Sequence, residues 1–222
     1  MQNERLALTT ASSRRHNTFS RRGILVSGVF AGVAGALGMG ALRDRAVAAS
    51  PSDMENDAAI LNAAIDLENQ AIWAYGVAGG KLSNTEVGKT ILALALRNRA
   101  DHVKHRDALA AAVKNLGKTP SPAKDSYDLS TYINAGEGNL DSDVNIAKLA
   151  LALEIDAVLA YGDAFSKLKT PGLLAAAGTI APDESAHATA IRAVFKSLMP
   201  SIEYVPAAFV SDETRKDWIL KV

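Results

Sequence analysis

The 222-residue chain contains no cysteine. This absence excludes disulfide bonds, cysteine-ligated zinc, iron–sulfur clusters and a thiol nucleophile, although it does not fix the compartment. Aromatic residues make up only 5% of the chain and runs of β-branched residues are few, whereas alanine and leucine are abundant. Because alanine and leucine favour helices while aromatic and β-branched residues favour strands, the composition predicts helix throughout.

A strongly basic surface is also missing. The formal net charge is zero, but seven arginines lie in residues 1–48 against only Glu4 and Asp44. Subtracting these from the 24 residues of each sign leaves 17 basic and 22 acidic residues in the rest of the chain, a net charge of −5. A mildly acidic body without a basic stripe argues against nucleic acid as a partner.

Residues 1–48 have the pattern of an export signal. The pair Arg21-Arg22 precedes a weakly hydrophobic stretch without charge, residues 24–42, and Ala46-Val47-Ala48 is a small-x-small cleavage pattern. This arrangement resembles a bacterial twin-arginine (Tat) signal that is cleaved after Ala48. The resemblance implies contact with the Tat machinery, which carries folded proteins that often already hold a metal, and a periplasmic or cell-envelope location.

The alternative for this segment is an uncleaved membrane anchor. The uncharged stretch has 19 residues, which can just span a bilayer. Five glycines within it make a poor helix, however, and so favour the signal over the anchor.

Residues 49–222 are predicted to form one all-α domain that begins with two long helices. A capping-box pattern, Ser52-x-x-Glu55, opens the first helix, which covers about 53–79 and ends at Gly79-Gly80. A second pattern of the same kind, Ser83-x-x-Glu86, opens a helix that runs to Leu116, with Gly117 as its stop signal.

Two further long helices follow. The third is predicted from a cap at Asp141 or Ser142 to about Lys167, and the fourth runs from Pro171 to about Leu198. Pro182 lies inside the fourth helix, so that it either kinks the helix or marks a point where the helix starts again.

The segment between the second and third helices, residues 118–140, is rich in small polar residues, proline and glycine. A connection of this length indicates a crossover along a bundle rather than a tight hairpin. A short amphipathic helix over about 212–220 is predicted to pack Trp218 back onto the bundle. The residues expected to anchor the crossover, around a short helical turn, are Tyr127, Leu129, Tyr132 and Ile133.

Each long helix carries acidic or imidazole side chains on its apolar face. Burying such groups is costly unless something pairs with them, and a metal ion held between helices satisfies a carboxylate and an imidazole together. Glu184 and His187 form a Glu-x-x-His pair one turn apart on the fourth helix. The candidate metal ligands are Glu68, His102, His105, Glu154, Glu184 and His187, with Asn98 as either a hydrogen-bond partner of a ligand or a polar core residue.

These candidates belong to an internal repeat. Glu68 and Glu154 are each followed at +7 and +8 by Tyr-Gly, and the residues that follow His105 match those that follow His187. The alignment places His102 opposite Glu184. The domain therefore reads as two helix pairs of similar design, each contributing three candidate ligands.

A glutamate on the first and third helices, with Glu-x-x-His on the second and fourth, resembles the ferritin-like di-metal carboxylate proteins. The resemblance covers about residues 53–199 and implies a four-helix bundle with one long crossover connection. It further implies that Glu68 and His105 hold one metal, that Glu154 and His187 hold the other, and that Glu184 bridges them.

His102 departs from this pattern, which expects a second bridging glutamate there. An imidazole does not bridge two metals as a carboxylate does. We therefore expect either that the two metal ions are held more loosely or that the site takes a single metal ion. Asp101, four residues before His105, is a further candidate to restore the missing negative charge. Tyr75 and Tyr161 are expected to pack in the core with their hydroxyls bonded to ligand carboxylates.

Carboxylate and imidazole ligands suit iron, manganese or zinc. From the family resemblance we expect two metal ions, iron before manganese, in an oxidoreductase that acts on Fe(II), O2 or peroxide and protects against oxidative stress. The alternatives are a non-catalytic protein that stores or delivers one metal ion, and a structural bundle with a vestigial site. A homodimer is left open.

Overall fold

The computed structural model describes residues 50–222, and the predicted export signal lies outside them. Within the described part the chain is helical and has no strands. The helices are α1 (Pro51–Gly79), α2 (Glu86–Asn115), α3 (Ser130–Asn134), α4 (Asp143–Lys167), α5 (Pro171–Leu198) and α6 (Arg215–Trp218).

The four long helices form a bundle of two pairs. α1 packs mainly along α2 and α4 mainly along α5, and the pairs meet through contacts of α1 with α4 and of α2 with α5. The connection from α2 to α4 spans the bundle and contains α3. The predicted all-α fold, a four-helix bundle with one long crossover and a short C-terminal helix, is confirmed.

Both predicted capping boxes are wrong in detail. α1 begins at Pro51, because Ser50 is the cap: its hydroxyl accepts from the Asp53 amide at 3.1 Å, and the Asp53 carboxylate accepts from the Ser50 amide. Proline is tolerated in a first turn, since its missing N–H would have had no partner there. Thr85 rather than Ser83 caps α2, by accepting from the Gly88 amide at 3.1 Å.

The start of α2 is tied instead to the start of α4. The amide and hydroxyl of Ser83 both donate to the Asp143 carboxylate, at 2.8 and 2.5 Å. Ser142 caps α4 by accepting from the Asn145 amide at 3.2 Å, one of the two residues expected in this role. α5 is continuous through Pro182, so the helix does not start again at that residue.

The crossover and the C-terminal segment pack on the outside of the bundle. Leu129 is buried and Tyr132 half-buried, as expected of anchors, but Ile133 is 41% exposed and does not serve as one. Trp218 is buried and donates its indole N–H to the carbonyl of Phe209 at 2.9 Å. The last helix is shorter than the predicted 212–220.

Two large apolar clusters fill the bundle, one on each side of a polar layer, and Ala74, Leu129 and Leu149 form a smaller third cluster. One contains Leu61, Ile65, Leu109 and Val113 with residues of α4 and α5, and the other contains Ile91, Leu151, Ile155, Ile191 and Phe195. On α2 and α5 the candidate metal ligands lie between these two clusters along the helix. No helix within residues 50–222 is both long and apolar enough to cross a membrane.

Candidate metal centre

The structure brings all six candidate ligands together in the polar layer. α1 and α4 each supply one glutamate, Glu68 and Glu154, and these side chains are 2% and 1% exposed. Glu184 on α5 is fully buried. α2 supplies His102 and His105, and α5 supplies His187. The helical spacing that placed these residues on apolar faces is thus what turns them inward.

The six residues form two overlapping groups. Within each group one ligand atom per residue lies within 4.8 Å of the others. His102 and Glu184 belong to both groups, so the two groups share a pair of residues, as two neighbouring metal positions would. The first group is Glu68, His102, His105 and Glu184, and the second is His102, Glu154, Glu184 and His187.

Glu184 faces one histidine with each of its carboxylate oxygens. Its Oε1 lies 3.0 Å from Nδ1 of His105, and its Oε2 lies 3.2 Å from Nδ1 of His187. A carboxylate in this position can bridge two ions. The placement agrees with the bridging role that the family resemblance implies, and that role stays a prediction.

His102 lies between the two other glutamates. Its Nδ1 is 2.8 Å from Oε2 of Glu68, and its Nε2 is 3.3 Å from Oε1 of Glu154. Both ring nitrogens are thus engaged by carboxylates from opposite helix pairs. The imidazole occupies the place across from Glu184 that the internal repeat indicated.

The donor set fits a metal ion. Three buried ligand atoms make no hydrogen bond in the described structure, namely Oε1 of Glu184, Nδ1 of His105 and Nε2 of His187. Oε1 of Glu184 and Nδ1 of His105 approach each other closely but are not aligned for a hydrogen bond. Nε2 of His187 instead points toward the carboxylates of Asp101 and Asp183. Because unpaired buried polar atoms are costly, the facing pair Oε1 of Glu184 and Nδ1 of His105 is what a cation would satisfy. The buried cluster of glutamates and histidines can therefore hold metal ions.

Two tyrosines cross-link the halves of the repeat. Tyr75 on α1 donates its hydroxyl to Glu154 on α4, and Tyr161 on α4 donates to Glu68 on α1. Asn98 donates to the hydroxyl of Tyr75 at 3.1 Å. Each tyrosine thus fixes the glutamate of the other half, and the expected bonds between tyrosine hydroxyls and carboxylates are present.

Without metal, charge pairing supports the buried cluster. Burial alone lowers the pKa of His102, but the carboxylates of Glu154 and Glu68 raise it to about 11. Burial likewise lowers the pKa of His187, and Glu154 and Glu184 raise it to about 10. Burial raises the pKa of Glu154, but His102 and His187 hold it well below its usual range. The metal-free centre therefore contains imidazolium–carboxylate pairs.

The pKa values of Glu184 and of the two tyrosines are raised, so that these groups hold their protons more strongly than in water. Burial raises the pKa of Glu184, and its histidine neighbours offset this only in part. The pKa values of Tyr75 and Tyr161 are also raised, by burial and by the adjacent glutamates. The two phenols therefore stay protonated and remain donors to their glutamates.

Two aspartates lie on the outer side of the histidines. Oδ2 of Asp183 is 3.3 Å from Nε2 of His105 and 3.5 Å from Nε2 of His187. A ligand histidine commonly donates its second ring N–H to a carboxylate, which orients the ring. Asp183 had no predicted role, although its position four residues before His187 on the same helix was a usable signal.

Asp101 also lies outside the two ligand groups. Its carboxylate pairs with Arg97 and Lys104, and its Oδ2 is 3.6 Å from Nε2 of His187. Burial raises the pKa of Asp101, but the two cations lower it to about 2. Asp101 forms a separate group with Asp183 and His187 rather than joining Glu68 and His105. Its role in restoring the missing negative charge stays a prediction.

A family model described as a ferritin-like domain matches residues 56–197. The chain belongs to this ferritin-like family. A solved structure of a conserved hypothetical protein from Mycobacterium tuberculosis is similar to this ferritin-like chain, with a TM-score of 0.54 and 22% sequence identity; the match covers 71% of this chain and 99% of that one. At that identity the likeness shows the shared fold alone. No curated protein sequence matches the chain significantly.

Proposed function

We propose that this ferritin-like protein is an oxidoreductase that holds two metal ions, with iron as the preferred metal, and that it oxidises Fe(II) with O2 or peroxide. The observation that carries the proposal is the pair of overlapping ligand groups that share Glu184 and His102. Manganese is the alternative metal, since the same hard and borderline ligands suit it.

The protein residues would supply geometry and charge. Glu68 with His105 and Glu154 with His187 form the two ends of the centre, and Glu184 contributes one oxygen toward each end. Tyr75 and Tyr161 hold the outer glutamates in place through bonds between the two helix pairs. The metal pair, when bound, supplies the redox change itself.

Oxidation of two Fe(II) by one O2 or one hydrogen peroxide balances in electrons and protons. Reduction of O2 to hydrogen peroxide takes two electrons, one from each of two Fe(II), and two protons. Reduction of hydrogen peroxide to two waters takes the same numbers of electrons and protons. The apolar clusters on both sides of the polar layer limit access of bulk water to the centre.

A specific observation favours one second candidate, a protein that binds or delivers a single ion. His102 is held by hydrogen bonds from both nitrogens to Glu68 and Glu154, and an imidazole held in this way separates the two ends of the centre. One ion would then be held by Glu184 together with the glutamate and histidine of one end. The unpaired atoms of Glu184, His105 and His187 speak against a purely structural bundle.

We further propose that the protein is exported through the Tat route and acts on the outer side of a bacterial membrane. The Arg21-Arg22 pair and the small-x-small pattern before Ala49 support this location. Replacing both arginines by lysine should leave the protein in the cytoplasm, as followed by cell fractionation. Normal export of that variant would contradict the Tat route.

Iron oxidation tests the enzymatic proposal. The metal-free protein is loaded with Fe(II) without oxygen and mixed with O2 or hydrogen peroxide, and Fe(III) formation is followed by near-ultraviolet absorbance. Wild-type protein should oxidise Fe(II) faster than buffer, and Glu184→Gln should not. Glu86→Gln, which changes an exposed carboxylate at the start of α2, is the control and should behave as wild type. Oxidation no faster than in buffer would contradict the proposal.

A further inference from the structure

A largely apolar cavity of about 70 Å³ is lined by residues of all four long helices and of the crossover, and it ends at the candidate metal centre. Its inner end is formed by Glu68, His102 and Glu154 together with the two tyrosines. Most of its walls are small and aliphatic side chains, and the polar side chains Gln70, Tyr132 and Asp156 also line it. The apolar wall residues include Ala71, Ala74, Leu94, Leu149, Ala150 and Leu153.

We propose that this cavity is a binding site for dioxygen and delivers it to the inner face of the centre. The inference rests on the proposed function and deepens it, because it selects O2 rather than peroxide as the oxidant. Its basis is the junction of a largely apolar cavity with the carboxylates and tyrosines of the centre.

The lining favours an apolar gas. Cavities lined by aliphatic side chains stay dry and take up small apolar molecules such as xenon. About 70 Å³ is roughly half the volume of an engineered cavity of about 150 Å³ that admits benzene, so a diatomic gas fits while a ring does not. Hydrogen peroxide would leave its O–H groups unpaired along the alanine and leucine walls, which form most of the lining, and this disfavours it relative to O2.

The cavity is also separate from the polar approach to the centre. Asp101 and Asp183 lie on the other side of the histidine rings, and within residues 50–222 neither they nor His105 and His187 line the cavity. Asp183 is 41% exposed at its side chain, so this approach is open to hydrated ions. Dioxygen and Fe(II) would thus reach the centre from different directions.

The small wall residues offer a way to fill the cavity without touching a candidate ligand. Ala71 on α1 and Ala150 on α4 line it, and both are half-buried. Ala64 lies two turns before Ala71 on the same helix and is also half-buried. It does not line the cavity and packs instead against the apolar cluster that contains Leu61 and Ile65. Ala64→Leu is therefore a matched control for Ala71→Leu and Ala150→Leu.

The first measurement is xenon binding to metal-free protein, by ¹²⁹Xe NMR in solution or by xenon-pressurised crystals. Wild type and Ala64→Leu should bind xenon in the cavity, and Ala71→Leu or Ala150→Leu should not. Xenon uptake by the wild-type protein requires neither metal nor turnover, so it remains informative if a leucine variant fails to fold. Absence of xenon from the cavity of the wild-type protein would overturn the proposal.

The second measurement compares the two oxidants in Fe(II)-loaded protein. Filling the cavity should slow O2-dependent oxidation by about tenfold, a change of about 1.4 kcal/mol in the barrier, and leave peroxide-dependent oxidation within about twofold. Equal slowing with both oxidants would overturn dioxygen delivery. If wild type binds xenon but oxidises no Fe(II), the proposed enzymatic function fails and the gas site alone stands.

Discussion

His102 distinguishes this centre from a di-metal centre in which glutamates occupy both bridging positions. It contacts Glu68 and Glu154 at once, where a second bridging glutamate would be expected from the family resemblance. The inner shell therefore has three carboxylates, and the imidazolium balances part of their charge while no metal is bound. Whether two ions or one are held depends most on this residue.

Replacing His102 by glutamate should tighten the weaker metal position. A fourth carboxylate adds a negative charge and an acceptor beside Glu68 and Glu154, and it removes the proton that a metal must displace. Titration of metal-free protein with Fe(II) or Mn(II) should show tighter binding of the second ion, by about tenfold or more, in line with the effect of ligand-shell changes. His102→Gln, which keeps the size but adds no charge, is the control. Unchanged binding in His102→Glu would mean that this side chain does not face the metals.

Metal affinity should rise with pH. The folded-state pKa of His102 is about 11 against an ordinary value of 6.5. Its protonation therefore stabilises the metal-free fold fully below about pH 6.5, and this contribution is lost as pH rises toward about 11. Because a ligand imidazole must be deprotonated, binding at neutral pH should release protons.

Calorimetry in two buffers that differ in ionisation enthalpy measures this release. Wild type should release about one proton more per chain than His102→Gln, since that variant has no imidazole at this position. Equal release by both proteins would contradict the assignment of the bound proton to His102.

The sequence predicted the six candidate ligands because each is a polar residue in an otherwise apolar helical stripe. Asp183 was missed although its i,i+4 spacing to His187 was a local signal. Its contact to His105 depends on how α2 and α5 approach each other, which no local pattern fixes. The position of Asp101 outside the two ligand groups has a similar cause. Its neighbours Arg97 and Lys104 hold its carboxylate on the outer side of the centre.

At the scale of the helices, the sequence predicted the long elements to within a few residues but not their caps. Ser50 with Asp53 and Ser52 with Glu55 both match a capping box, and the sequence alone does not choose between them. Ser83 donates its hydrogen bonds to Asp143, 60 residues away, and Thr85 caps α2 instead. Such long-range contacts decide helix ends that local patterns leave open.

The turn before α4 should depend on a single glycine. Gly138 has φ = +114°, and an added Cβ would lie 2.2 Å from the backbone nitrogen of Leu149. Gly138→Ala should therefore lower the free energy of unfolding by about 3 kcal/mol or more, as steric strain at a buried, left-handed position does. Chemical denaturation measures this change.

Gly162→Ala is the matched control for that substitution. Gly162 lies on an exposed face of α4, and a Cβ added there would have no neighbouring atom within 4 Å. Alanine should raise the stability at this position by about 0.5–1 kcal/mol, because glycine is a poor helix former. A Gly138→Ala protein as stable as wild type would contradict the close packing of this turn against α4.

At the scale of the whole molecule, two similar helix pairs enclose one centre. The internal repeat in the sequence appears in the structure as an exchange of contacts, with Tyr75 bound to Glu154 and Tyr161 bound to Glu68. Separation of the two pairs would break both contacts and expose the ligands. The centre is therefore expected to form only in the assembled bundle, and bound metal should in turn stabilise that bundle.

The most direct test of this account is the number of metal ions bound per chain, measured by inductively coupled plasma mass spectrometry on protein loaded with Fe(II) or Mn(II) without oxygen and then desalted. We predict two ions per chain in wild type and a loss of at least about tenfold in affinity in Glu184→Ala, since removal of a group in a metal's ligand shell costs about that much or more. One ion per chain would favour the single-ion alternative over the di-metal centre. No bound metal, or the same content in Glu184→Ala as in wild type, would contradict the central claim that these buried carboxylates and imidazoles form a metal centre.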